Sequence, residues 1–169
     1  MSNPRPTIFV LWGRHFDEAV TAIFVTELRA AGVRVKVVGL EGRTTAGAHG
    51  LSLAPDLALG QLPRLAQRIT GIVIPCSFDK LQRFMHDPRL AAFFQTAQQR
   101  EVRFIVQQGA KRDAAAIGLS PTMLIEYPGC SDLVLFVRTF ATQLCQKPAL
   151  LPLQARQGDE LSTQQTISN

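Results

Sequence analysis

Residues 7–40 constrain the fold most strongly, because they read as one β-α-β unit. Thr7–Trp12 is an apolar run of strand length, which suits a strand covered by helices on both faces. Across residues 17–31 the apolar side chains recur at steps of three and four, which predicts an amphipathic helix that a glycine ends. Residues 33–40 predict a second strand. Because a parallel pair needs a right-handed crossover, any site is expected beyond the strand ends, near residues 13–15.

The rest of the chain alternates between strand and helix patterns. Further strands are predicted at residues 71–75, 102–106 and 122–127, and helices at residues 62–69, 78–86, 88–100, 110–117 and 131–146. Residues 41–55 are rich in turn formers and predict a small edge hairpin. This alternation is typical of an α/β fold with a doubly wound, mostly parallel sheet flanked by helices, and Thr7–Trp12 is its expected central strand.

Length and charge limit the number of domains and the kinds of partner. With 169 residues and 46% hydrophobic content, the chain can bury one core, so residues 7–150 are predicted to form a single domain after an N-terminal arm, 1–6. Residues 151–169 form a polar tail that is predicted to be disordered or to dock on a protein partner. The net charge is +5, but the basic residues are scattered, which argues against a nucleic-acid partner.

Membrane, metal and nucleotide sites have no support in the sequence. No stretch approaches the roughly twenty apolar residues of a membrane span, and the start of the chain lacks the apolar core of a signal peptide, so we expect a cytoplasmic protein. Cys76, Cys130 and Cys145 are too widely spaced for a zinc site or a disulfide framework. His49 and His86 are interpreted as surface or capping residues. Because no glycine-rich phosphate loop occurs, we predict no cofactor.

Four segments carry a resemblance to a known family. Residues 16–20, Phe-Asp-Glu-Ala-Val, are similar to a Phe-Glu-Asp-x-Glu motif, and residues 49–56 are similar to a His-Gly-x-x-Leu-x-Pro-Asp hairpin. Residues 72–75 resemble the strand before a Pro-Gly-Gly motif, and residues 128–129 resemble part of Gly-Pro-Gly-Thr. The chain thus resembles the ThiJ/PfpI superfamily, the Parkinson-disease-protein family that is related to class I glutamine amidotransferases. The resemblance implies a flavodoxin-like sheet and a homodimer.

The same resemblance identifies what this chain lacks. It implies a catalytic cysteine on the turn after the fourth predicted strand and a glutamate that shares a proton with it, but Gln107 and Val20 occupy these positions. Pro-Gly-Gly is replaced by Pro-Cys-Ser at residues 75–77, and the segment after Gly118 is too short for the strand and histidine of many relatives. We therefore predict a pseudoenzyme that acts as a binding, regulatory or scaffold subunit, through homodimerisation and protein partners.

An active enzyme is the first alternative. It would use a displaced Cys76 or Cys130 to act on glyoxals, glycated groups or peptides. Cys76 follows a buried strand at the carboxyl edge of the sheet, and Cys130 precedes a predicted helix, whose dipole favours a thiolate. Cys130 is for the same reason a candidate redox sensor. Both cysteines also fit simple roles, in packing for Cys76 and at a helix start for Cys130.

A sensor of anionic small molecules is the second alternative. Its ligand-binding residues would follow two strand ends, and they are Arg14, His15, Gln107, Gln108, Lys111 and Arg112. Helix starts attract anions, so a crevice at this edge suits a phosphate or a carboxylate. Asp17 and Glu18 argue against such a site at the first helix, because they already satisfy its dipole. For Lys111 and Arg112 the simpler interpretation is a solvated first turn.

Overall fold

Six parallel strands form the main sheet in a computed structural model that describes residues 6–62 and 69–146. The strands, numbered along the chain, are β1 (Thr7–Trp12), β2 (Arg34–Gly39), β3 (Thr45–Ala46), β4 (Ser52–Leu53), β5 (Leu57–Ala58), β6 (Gly71–Val73), β7 (Arg103–Gln107) and β8 (Leu124–Tyr127). The order in the sheet is β5-β2-β1-β6-β7-β8, and β3 pairs with β4 as a separate antiparallel hairpin. The doubly wound sheet and the interior position of β1 are confirmed.

Four α-helices flank this sheet within the described residues: α1 (Glu18–Ala30), α2 (Phe78–Gln82), α3 (Pro88–Gln99) and α4 (Cys130–Gln146). Side chains fix where two of them begin. The Asp17 carboxylate accepts a hydrogen bond from the backbone N–H of Val20, and Asp87 caps α3 with Pro88 in its first turn. Gly32 follows α1 with φ +82°, a left-handed conformation that glycine adopts without strain.

The two faces of β1 explain why residues 8–12 of this strand are apolar. Ile8 and Val10 pack with side chains of α1 and α4, whereas Phe9 and Leu11 pack on the other face with side chains of α2 and α3. All four are at most 2% exposed. Since helices cover both faces, a polar side chain at any of these four positions would need a buried partner.

Several predicted elements differ in detail. Residues 110–117 form a 3-10 helix rather than an α-helix, and the span lies between two glycines with positive φ, Gly109 and Gly118. The predicted helix 78–86 ends at Gln82, and a 3-10 turn, Pro121–Met123, precedes β8. The hairpin lies outside the main sheet, whose edge is instead the unpredicted strand β5.

Some predictions fall on residues that the structure does not describe. These are most of the helix predicted at 62–69, most of the arm 1–6 and the whole tail 151–169. Within the described parts of the chain, no helix has both the length and the apolar character needed to cross a membrane.

The order of the strands sets where a ligand can bind. From β1 the chain builds the sheet outward in one direction through β2, and it later continues in the other direction through β6, β7 and β8. Between β1 and β6, the connections therefore leave on opposite sides. In open α/β sheets, such a reversal opens a crevice outside the carboxyl ends of the strands.

Candidate functional site

A cleft of about 210 Å³ lies at this carboxyl edge. It is bordered by the start of α1, the segments that follow β6 and β8, and the end of β7. Its lining residues are Asp17, Val20, Pro75, Cys76, Ser77, Lys80, Gln107, Tyr127, Pro128, Gly129 and Cys130. The cleft is therefore where the fold predicts a site, and it is lined by both polar and apolar side chains.

The start of α1 contributes a carboxylate to the cleft. Asp17 is half-buried, and its Oδ1 accepts the N–H of Val20 at 2.9 Å as the helix cap. The backbone N–H of Asp17 donates to the carbonyl of Pro75 at 2.8 Å, which ties the loop after β1 to the segment after β6. Capping thus fixes the position of the Asp17 side chain, while its second oxygen remains available.

Cys76 lies in the segment after β6, where it is 4% exposed. Burial raises the pKa of its thiol far above the ordinary value, and this effect outweighs the nearby Lys80 ammonium. The Cys76 side chain is therefore a neutral thiol at physiological pH. Lys80, from α2, donates from Nζ to the carbonyl of His15 at 3.1 Å.

Gln107, at the end of β7, lines the cleft with an exposed carboxamide. Its side chain forms no hydrogen bond with the residues that the structure describes. The next residue, Gln108, donates its backbone N–H to the carbonyl of Tyr127, which joins the ends of β7 and β8. Gln107 is therefore held by its backbone, and its polar head remains available to a ligand.

Tyr127 ends β8 and closes one side of the cleft. Its hydroxyl donates to the carbonyl of Ile74 at 3.3 Å, and the residue is 3% exposed. Burial raises the pKa of this phenol well above its ordinary value, and the Asp17 carboxylate adds a smaller contribution. The phenol is neutral at physiological pH, so it serves the cleft as a hydrogen-bonding group and not as a base.

The residues predicted to bind an anion do not together line this cleft. Of the six, Gln107 lines this cleft, whereas Arg14, His15, Gln108, Lys111 and Arg112 do not. The turn before residue 112 already has an anion, because Oε1 of Glu126 accepts the N–H groups of Gly109 and Lys111 at 3.0 and 3.2 Å. Ligand binding by these residues stays a prediction.

The structure adds cleft residues that the sequence analysis did not assign to a site, chiefly Asp17, Lys80 and Tyr127. Tyr127 could have been assigned to the site from the sequence, because it ends a predicted strand and the carboxyl ends of parallel strands lie at one edge of the sheet. Lys80 could not have been assigned in this way, since it lies within a helix whose orientation depends on packing. In the described segments, no three His, Cys, Asp or Glu side chains lie close enough to hold a metal ion.

A second polar cluster, which we call the hairpin latch, joins Glu18 to the hairpin residues Gly47, His49 and Leu51. Oε1 of Glu18 accepts the N–H groups of His49 at 2.6 Å and Leu51 at 3.3 Å, while Oε2 lies 3.0 Å from Nδ1 of His49. A Cβ on Gly47 would lie 2.5 Å from Cδ of Glu18. The Glu18 side chain is 8% exposed and that of His49 is 83% exposed.

These contacts explain the acidity of Glu18. Burial by itself raises the pKa of Glu18, but the hydrogen bonds from His49 and Leu51 and a backbone hydrogen bond at Glu18 outweigh it and lower the pKa to about 2. The sequence interpretation of Glu18 as a partner of the helix dipole was incomplete, because its carboxylate is taken by the hairpin. His49 is at the surface as expected, yet it is also a partner of this carboxylate.

Comparisons with known proteins find similar folds among solved structures. The sequence matches no protein-family model and no curated protein. Among solved structures, DJ-1beta from Drosophila melanogaster matches with a TM-score of 0.67 and 16% identity, over 85% of this chain and 92% of that one. A DJ-1 superfamily protein from Salmonella typhimurium matches with a TM-score of 0.68 and 17% identity over the same shares. Oxidized DJ-1 from Toxoplasma gondii matches with a TM-score of 0.66 and 13% identity, over 85% and 97%.

These similarities extend over most of both chains, so they concern the whole sheet and its helices and not one motif. The fold implied by the four sequence motifs is confirmed. The chain therefore has the α/β fold of the DJ-1/ThiJ/PfpI superfamily.

Proposed function

We propose that this protein is a catalytically inactive relative of the DJ-1/ThiJ/PfpI proteins, which uses the cleft for recognition as a binding, regulatory or scaffold subunit. The observation that carries the proposal is the carboxamide of Gln107 at the end of β7, on the cleft. The sequence resemblance assigns the nucleophile to this position. A carboxamide has no thiolate form and does not replace a nucleophilic cysteine.

Other features of the cleft also argue against thiolate chemistry at Cys76. An activated cysteine needs a lowered pKa or an adjacent base, whereas burial raises the pKa of Cys76. None of the described residues that line the cleft is a histidine, and Val20 occupies the position of the expected glutamate. Glu18, two residues earlier, is committed to the hairpin. Among the described lining residues, Asp17 alone carries a carboxylate.

A direct assay tests this proposal. The full chain should convert methylglyoxal to lactate, and cleave glycated or peptide substrates, no faster than buffer. The variants Cys76→Ala and Cys130→Ala should behave like the unmodified protein. Turnover above buffer that disappears in either variant would overturn the proposal.

The proposal extends to assembly and location. It includes a homodimer, which the resemblance implies, a protein partner that binds through residues 151–169, and a cytoplasmic location. Both tests compare the full chain with a variant that ends at residue 150. Native mass measurement tests the homodimer, and affinity capture tests the protein partner. The dimer should persist in both proteins, and the partner should be captured by the full chain only. A monomer, or capture by the shortened variant, would contradict these extensions.

Two observations support second candidates. Cys130 is exposed, begins α4 and lines the cleft, which favours an enzyme or a redox sensor based on this thiol. Lys80 brings an ammonium to the cleft, which favours a sensor of anionic small molecules. The sensor predicts a thermal upshift with some anionic metabolite. The enzyme predicts turnover that Cys130→Ala abolishes.

A further inference from the structure

The cleft contains two opposite charges that do not pair with each other. Asp17 and Lys80 both line it, and both residues are half-buried. Although both lie in the described part of the chain, they form no ion pair, while four other pairs of side chains do. Opposite charges that share a small cleft without direct contact leave a gap that a ligand can bridge.

Each of these groups has hydrogen-bonding capacity to spare. Only Oδ1 of Asp17 is used by the cap, and Oδ2 has no donor among the described residues. An ammonium has three N–H groups, and Lys80 directs one at the carbonyl of His15. The Gln107 carboxamide adds two donors and an acceptor. The cleft thus offers an acceptor carboxylate at one place and several donors at others.

A ligand with a single charge would pair with only one of these two residues. Lys80 would attract an anion and Asp17 would repel it. A cation would be attracted by Asp17 and repelled by Lys80. We infer that the cleft binds a small zwitterion of the α-amino acid class, whose ammonium pairs with Asp17 and whose carboxylate pairs with Lys80 and Gln107. The inference rests on the proposed function, because it assigns a ligand to a recognition cleft and not a substrate to a catalytic one.

The size of the cleft limits the side chain of the ligand. About 210 Å³ holds about seven water molecules at ~30 Å³ each, which is enough room for a small amino acid. The positive end of α4 also borders the cleft at Gly129 and Cys130, which adds to the attraction for a carboxylate. We therefore assign the site to free amino acids with small side chains.

Matched ligands test the charge requirement on the full chain. Calorimetric titration would compare alanine and serine with propionate, which lacks the ammonium, and with ethylamine, which lacks the carboxylate. Charge-assisted hydrogen bonds to both ends predict that each single-charge analogue binds at least about tenfold more weakly than alanine. Equal binding of propionate and alanine would overturn the inference, and so would no binding of any amino acid at millimolar concentration.

Two variants test the residues. Asp17→Asn keeps a side chain that caps α1 but removes the charge, and Lys80→Met keeps the apolar stem but removes the ammonium. Each should weaken alanine binding by about tenfold or more, while the controls Asp79→Asn and Lys36→Met, which lie outside the cleft, should not. Unchanged binding in Asp17→Asn would overturn the inference.

The outcomes separate this inference from the proposed function. Absence of amino-acid binding, or binding that ignores one of the charges, removes the zwitterion and leaves a non-catalytic protein standing. Chemical conversion of a bound amino acid would instead remove the non-catalytic function. If Asp17→Asn fails to fold, the comparison of alanine with propionate and ethylamine on the unmodified protein decides by itself.

Discussion

Two neighbouring carboxylates at the start of α1 have opposite fates. Glu18 is in the hairpin latch, where both oxygens have partners and burial is nearly complete. Asp17 caps the helix with one oxygen and presents the other to the cleft. The comparison indicates that a carboxylate with all its hydrogen bonds made within the protein stabilises the fold. A carboxylate with an oxygen to spare marks the surface where a ligand is expected.

The largest effect is expected where the latch loses its acceptor. Glu18→Ala should lower the free energy of unfolding by about 3 kcal/mol, because it leaves the N–H groups of His49 and Leu51 without their charged partner. Urea denaturation followed by circular dichroism measures this. Glu27→Ala is a matched control on the same helix, since Glu27 pairs with Arg138 at the surface, and its effect should be much smaller. Equal losses would remove the distinction between the latch and the surface.

Adding a methyl group at Gly47, on the hairpin side of the latch, should lower the free energy of unfolding by less than Glu18→Ala does. Gly47→Ala places a Cβ 2.5 Å from Cδ of Glu18, and we expect overpacking to lower the free energy of unfolding by about 2 kcal/mol. Gly60→Ala is the control, because its nearest contact beyond neighbouring residues is an Arg89 nitrogen at 3.6 Å. Thermal denaturation of both variants tests the difference. A tolerated Gly47→Ala would mean that the hairpin moves away from Glu18 easily.

The acid sensitivity of the latch sharpens the comparison further. The pKa of Glu18 is lowered from 4.5 to about 2, so its contribution to stability is fully present above pH 4.5 and is lost as the pH falls toward 2. Glu18→Gln should therefore be less stable than the unmodified protein at neutral pH, and the difference should shrink across this window. Urea titrations at several pH values measure it. A constant difference would show that the Glu18 charge does not contribute.

The smallest effect on stability is expected in the cleft. Gln107→Ala should change the free energy of unfolding by less than about 0.5 kcal/mol, because the exposed side chain forms no hydrogen bond within the described part of the chain. Denaturation under the conditions used for Glu18→Ala makes the two values comparable. A loss as large as that of Glu18→Ala would assign Gln107 to the structure and abolish the contrast between the two regions.

Much of the site was accessible from the sequence because the fold is built from local patterns. The apolar run of β1, the cap at Asp17 and the strand that ends at Gln107 are each encoded within a few residues. Parallel strands bring their carboxyl ends to one edge, so Cys76 and Gln107 were placed correctly on it. The structure also shows what Asp56, the last residue of the segment 49–56, does: its carboxylate accepts the N–H of Val37 in β2 at 2.8 Å.

The sequence by itself determined the α/β class, the carboxyl edge of the sheet as the place for a site, and the presence of Gln107 at the end of β7. Tertiary structure alone decided how the polar groups are used. Glu18 meets His49 across 31 positions, and Tyr127 meets Ile74 across 53. Such contacts depend on how helices and loops pack over the sheet, and a local pattern of residues carries no record of that packing. The same packing leaves one oxygen of Asp17 free for a ligand, while both oxygens of Glu18 are hydrogen-bonded to the hairpin.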